Sequence, residues 1–209
     1  SLQAIGVNNQ DNPDYTPIHE AGGDATSVYN DLYGSASEQK QKSNSSSLTE
    51  QTMALNYADI YSTSTVHVYR KFSTAIDVSQ HEELRFLVKN ESGGAGGASF
   101  FIQAGDINNY FKASVPFDPS KTGWRLITIG QKDITGDKIP DVWVQSTAGV
   151  EISSRGTPSL QQVPQFIAGV EATDGNGHSG TVYFNELHVA DPLTRVGNAR
   201  KVEGSFEIP

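Results

Sequence analysis

From Glu50 onward the chain is written in short runs of alternating, β-branched or aromatic residues, cut about every ten to fifteen positions by Gly, Asn, Asp or Pro. Such runs are too short for amphipathic helices and fit the two-residue repeat of a strand with one buried face. The alternation is clearest at Val66 and Val68 against His67 and Tyr69, and at Leu84, Phe86 and Val88 against Arg85, Leu87 and Lys89. We predict strands over 52–57, 65–71, 84–89, 99–104, 110–115, 124–129, 142–145, 166–171 and 181–189, with almost no helix beyond a turn at 158–163 before Pro164. That spacing predicts an all-β fold, a two-sheet antiparallel β-sandwich of jelly-roll form.

The first fifty residues differ. Positions 8–16 are polar and contain Pro13, and 35–47 carry no apolar side chain beyond one alanine, so the latter read as a surface loop. We expect a long polar N-terminal excursion over 1–50 that packs on the sandwich formed by 51–209, the whole being one domain.

Composition removes several functions. Fifteen basic against twenty-four acidic side chains give a net charge of −9, which repels a polyphosphate, so nucleic acid is not an expected partner. No run approaches the roughly 18 apolar residues of a membrane span, so this segment is not expected to insert into a bilayer. The absence of cysteine excludes disulfides, thiolate zinc sites and cysteine nucleophiles, and the Ser/Thr/Asn/Gly-rich acidic composition leans toward an exported surface protein.

The sharpest local motif is Asp133-Ile134-Thr135-Gly136-Asp137-Lys138-Ile139-Pro140-Asp141. Side-chain oxygens fall at alternate positions, Asp133, Thr135 and Asp137, then again at Asp141, and with the Ile139 carbonyl they could wrap one structural calcium ion. Lys138 stands where an EF-hand loop has glycine, and Val144 where it has its closing glutamate. The competing reading is a solvated Asp/Gly turn. The glycine-rich stretch at 92–98 runs into Ser99-Phe100-Phe101-Ile102, a strand rather than a helix, and is read as a hairpin connection rather than a phosphate cradle. Five histidines lie in unrelated contexts, and Glu82 and Glu83 point to opposite faces of an extended chain, so no catalytic constellation is expected. Aromatic rings are the remaining candidates, since sugars are held on exposed rings flanked by polar groups. Trp143, Tyr110 and Tyr183 are the chosen platform residues, with Tyr69, Phe111 and Trp124 as further candidates.

A resemblance follows from the order of the pieces: Asn12-Pro13-Asp14-Tyr15-Thr16-Pro17, Leu48-Thr49-Glu50-Gln51-Thr52-Met53-Ala54-Leu55, Tyr69-Arg70-Lys71-Phe72, Asn108-Asn109-Tyr110-Phe111 and Val182-Tyr183-Phe184-Asn185-Glu186-Leu187-His188-Val189-Ala190-Asp191-Pro192. Together they resemble the soluble β-sandwich segments of SprA-type proteins, giant bacterial outer-membrane proteins associated with gliding motility and type IX secretion. The resemblance implies a non-catalytic module of a much larger chain, at the periplasmic or extracellular face of the outer membrane, acting in protein translocation or surface interaction. It also implies a fold similar to galactose-binding-like or jelly-roll carbohydrate-binding modules, and 195–209 would lead to the next domain. The expected partners are neighbouring domains and either a protein or a polysaccharide. The alternative function is a carbohydrate-binding module that presents polysaccharide to an attached enzyme or the cell surface.

Overall fold

The computed structural model describes residues 1–43, 49–61, 64–91 and 96–194. Among the described residues, eleven strands and three helices follow one another as β1 (Leu2–Asn8), α1 (Ile18–Ala21), α2 (Gly23–Tyr33), α3 (Ala36–Ser43), β2 (Gln51–Ile60), β3 (Thr65–Ile76), β4 (His81–Asn90), β5 (Ala98–Gly105), β6 (Tyr110–Pro116), β7 (Arg125–Lys132), β8 (Val142–Gln145), β9 (Glu151–Arg155), β10 (Val163–Ala172) and β11 (His178–Pro192). A six-stranded sheet has the order β1-β2-β11-β4-β7-β8 and a five-stranded sheet the order β3-β10-β5-β6-β9, with every pairing antiparallel. The late strands β10 and β11 insert between early ones, β10 between β3 and β5 and β11 between β2 and β4. This interleaving of two Greek keys makes the sandwich a jelly roll.

Period-two alternation builds the core. Leu84, Phe86 and Val88 of β4 point inward with Ile127 and Ile129 of β7, and meet Phe100, Ile102, Phe111, Ala113 and Val170 from the opposite sheet. Leu87 breaks the pattern. It points away from this core yet is fully buried, because α1 and α2 cover it with Ile18, Ala25 and Tyr29, joined by Trp124 and Leu126. A second patch on the same outer face joins Val7, Tyr15 and Ala54, with Trp124 and Tyr183 against it.

The N-terminal segment is held there by one carboxylate. Glu50, at the entry to β2, is 2% exposed. Its Oε1 accepts hydrogen bonds from the Tyr15 hydroxyl (2.5 Å) and the Ile18 amide (2.6 Å), and its Oε2 accepts from the His19 amide (3.2 Å) and faces His19 Nδ1 at 2.9 Å. Burial, reinforced by the bond to Glu50, pushes the Tyr15 phenol above its ordinary range, so it stays a donor.

Several sequence expectations change here. The expectation of almost no helix is corrected by α2, and part of the loop expected at 35–47 is α3. The cause is a capping box: the Ser35 amide and hydroxyl donate to Glu38 Oε2 at 2.6 and 2.8 Å, and the Glu38 amide lies 3.4 Å from Ser35 Oγ. Positions 44–47 of that loop, 92–95 of the glycine-rich connection and the exit at 195–209 lie outside the described residues. The turn expected before Pro164 is present at 160–161, and β1 and β9 add edge strands that were not predicted.

Removing the anchor should release the excursion. Glu50→Ala leaves the Tyr15 hydroxyl and the Ile18 and His19 amides without their acceptor and is expected to cost about 2–4 kcal/mol. The check is urea unfolding with hydrogen exchange, which should show α1 and α2 losing protection while β4 and β5 keep theirs. Unchanged protection at Ile18 and His19 would refute the assignment.

Candidate functional site

The two outer faces of the sandwich are unlike. That of the six-stranded sheet lies under the N-terminal segment, whereas that of the five-stranded sheet forms an open cleft of about 370 Å³. This falls within the range of about 300–1,000 Å³ usual for small-ligand sites.

Strand register arranges the cleft in rows. Residues alternating with the core positions of β3, β10, β5, β6 and β9 point outward. One row runs His67, Gly169, Phe101, Ser114 and Glu151; the next Tyr69, Ile167, Gln103, Lys112 and Ser153; beyond it Lys71 pairs with Gln165 on one side, and Gly105, Tyr110 and Arg155 pair across the other. Gly169 sets the depth. A Cβ there would lie 2.8 Å from Phe101 Cζ and 2.3 Å from the Val66 carbonyl oxygen, so only glycine lets the Phe101 ring lie down into the floor. Phe101 is consequently 4% exposed although it faces away from the core.

An ion pair closes the floor. Lys112 Nζ binds Glu171 Oε2 and sits 4.6 Å from the centre of the Phe101 ring, while Ser114 Oγ donates to Glu171 Oε1 at 2.8 Å. Both charges are about five-sixths buried, and each is neutralised by the other. Gln103 Nε2 donates to the Asp106 carbonyl at 3.0 Å, which fixes the floor to the rim loop at 106–109. That loop is itself stiff. Gly105 has φ 123°, the Asp106 carboxylate accepts the Asn108 and Asn109 amides, and Asn109 Oδ1 accepts the Thr157 amide. The rings standing above the floor are Tyr69 on one wall, 66% exposed, and Tyr110 with the 74% exposed Ile107 on the other. Arg155, His67 and Gln165 complete the polar lining.

The expected platform is therefore divided. Tyr110 lines the cleft, but Tyr183 lies on the opposite outer face, edge-on to Tyr15 at 5.4 Å and near Trp124 at 6.2 Å. Trp143 is corrected outright. It is 4% exposed, stacked on Phe111 at 5.8 Å within the core, because β8 alternates and its Asp-rich neighbour does not change which face each residue takes. Phe111 is core as well, and Trp124 donates its indole N–H to the Thr16 carbonyl beneath the N-terminal segment. Tyr110 stands two places along β6 from Lys112, which shares a row with Tyr69 across the sheet, a relation that single-strand patterns do not reveal.

In the Asp-rich loop the carboxylates serve the loop's own backbone. Asp133 accepts the amides of Gly136 (2.6 Å) and Lys138 (2.7 Å) and the Thr135 hydroxyl (3.2 Å); Asp141 accepts those of Ile134 (3.1 Å) and Thr135 (3.2 Å); Asp137 accepts that of Ile139 (2.9 Å). Among the described residues no three His, Asp or Glu side chains converge as a metal cage. In this arrangement Asp133, Asp137 and Asp141 are each engaged by amides of the loop itself. The backbone bonds from Gly136 and then Lys138 hold the Asp133 carboxyl below its ordinary range.

Two measurements check these placements. Trp143→Ala is expected to cost about 3–5 kcal/mol in urea unfolding, the cost of emptying a core site, and a loss under about 1 kcal/mol would mean that the ring is not core. The Gly136 and Lys138 amide resonances should titrate together with Asp133, their bonds persisting above the ordinary carboxylate pKa of about 3.9 and being lost only as pH falls through a lower midpoint. A midpoint at or above the ordinary value would contradict the bonding.

No protein-family model and no curated protein matches the chain. Among solved structures, a family 11 carbohydrate-binding module from Clostridium thermocellum, in complex with a β-1,3-1,4-mixed-linked tetrasaccharide, is similar at 16% identity. The match covers 69% of this chain and 78% of that one with a TM-score of 0.43, a degree of likeness that carries no function across.

Proposed function

We propose that this β-sandwich is a carbohydrate-binding module whose site is the cleft on the five-stranded sheet. The observation that supports the reading is the combination of exposed Tyr69 and half-buried Tyr110 above a floor of fixed polar groups in an open cleft. Sugar rings present apolar C–H faces to aromatic rings and hydroxyls to amides and guanidinium groups, and this lining offers both. Binding rather than cleavage is the reading because the one acid at the floor, Glu171, is held by Lys112 and Ser114 and the lining brings no second carboxylate to face it, whereas glycoside hydrolysis uses two facing carboxylates. The stiff floor favours affinity, since few side chains need ordering when a ligand arrives. A polysaccharide at a cell surface also suits the exported composition.

The test is a glycan array followed by calorimetry on the retained glycan. Tyr69→Ala and Tyr110→Ala are each expected to weaken binding by roughly tenfold or more, and Tyr183→Ala to leave it unchanged. Retention of no glycan, or sensitivity to Tyr183→Ala alone, would overturn the proposal.

A further inference from the structure

The cleft has a charge character opposite to that of the chain. The protein carries nine more acidic than basic side chains, yet the lining contains Arg155, His67 and the paired Lys112 with no free carboxylate among them, Glu151 lying beyond the lining at the far end of the His67 row. The acid on the floor, Glu171, is consumed by Lys112 and Ser114, and the rim acid, Asp106, is consumed by the Asn108 and Asn109 amides. Arg155 is different. It is exposed at the end of the row that holds Tyr110, and neither it nor Lys71 of β3, paired with Gln165, has a carboxylate partner among the described residues.

A neutral sugar offers hydroxyls, which donate as well as accept, and a carboxylate is the strongest acceptor a protein can give them. This lining has none. It offers guanidinium, amide and imidazole groups instead, a surplus of donors that suits a ligand rich in acceptors. The guanidinium fork matches the paired oxygens of an acidic group, and beside Tyr110 it can read such a group on the sugar whose face the ring covers.

We infer that the cleft selects an acidic glycan, one whose sugar rings carry carboxylate or sulfate groups, and that Arg155 is the residue that reads the acid. The inference rests on the glycan-binding reading above and narrows it. Because the chain as a whole repels anions, the attraction is local to one end of the cleft, and it weakens as salt screens it.

The experiment compares polygalacturonate with its methyl-esterified form and a carrageenan with agarose, so that each acidic polymer has an uncharged counterpart. The expected result is binding of at least one acidic polymer about tenfold or more tighter than its counterpart, weakening as sodium chloride rises from 20 to 300 mM on the order of what one or two ion contacts give. Arg155→Gln, at an exposed position, should remove that preference while leaving the melting temperature unchanged, and Arg155→Lys should restore part of it. The uronate and sulfate pairs decide which acid is read. Equal or tighter binding of the uncharged polymers would overturn the acidic preference and leave the glycan site standing. Acid-selective binding unaltered in Arg155→Gln would overturn the role of Arg155. No binding of any polymer would overturn both readings.

Discussion

Three phenylalanine rings join the two sheets, and the remaining geometry follows from them. Phe86 of β4 and Phe184 of β11 come from the six-stranded sheet, Phe100 of β5 comes from the other, and their centres lie 5.2–5.7 Å apart. Phe86 and Phe100 are wholly buried. Each ring pair adds about 0.5–1.5 kcal/mol to the burial term, and the trio fixes how β5 sits relative to the sheet beneath it. Once Phe100 and Ile102 point down, Phe101 and Gln103 must point up, so the core contact also determines what the cleft floor is made of.

The same sandwich treats its two outer surfaces in opposite ways. One is closed by some thirty residues of N-terminal chain whose own apolar content is slight, and this closure depends on Glu50 satisfying the donors of Tyr15, Ile18 and His19 in a place with no water to do so. The other is left open, and its charged floor groups, Lys112 and Glu171, satisfy each other. A buried carboxylate thus does a structural task on one side, and a paired one leaves no uncompensated charge in the floor of the other.

Much of the jelly roll was legible because strand alternation is local. All nine predicted strands correspond to strands of the structure, with bounds extended by a few residues or, at Trp124, trimmed by one. Helix α2 was missed because its buried stripe is thin, Ala25 and Tyr29 one turn apart in an otherwise polar sequence, and the Ser35–Glu38 capping box was overlooked inside a tract dismissed for its polarity. The site was legible only in part. Tyr69 and Tyr110 were named among the candidate aromatics, but Trp143 was placed by the character of the loop beside it rather than by its own parity on the strand. Arg155 and Gln165 carried no signal at all, since what brings them into one cleft is the pairing of strands far apart in the chain.

Gly169 has a bearing on how variation among descendants of this chain would be read. The space it leaves empty is bounded by the Val66 backbone as well as by Phe101, so any side chain there is opposed by the fold before a ligand is considered. Invariance at 169 would consequently report foldability and say nothing of diet or habitat. Tyr69, Tyr110 and Arg155 stand on the walls, where replacement disturbs little else, and these are the positions free to diverge.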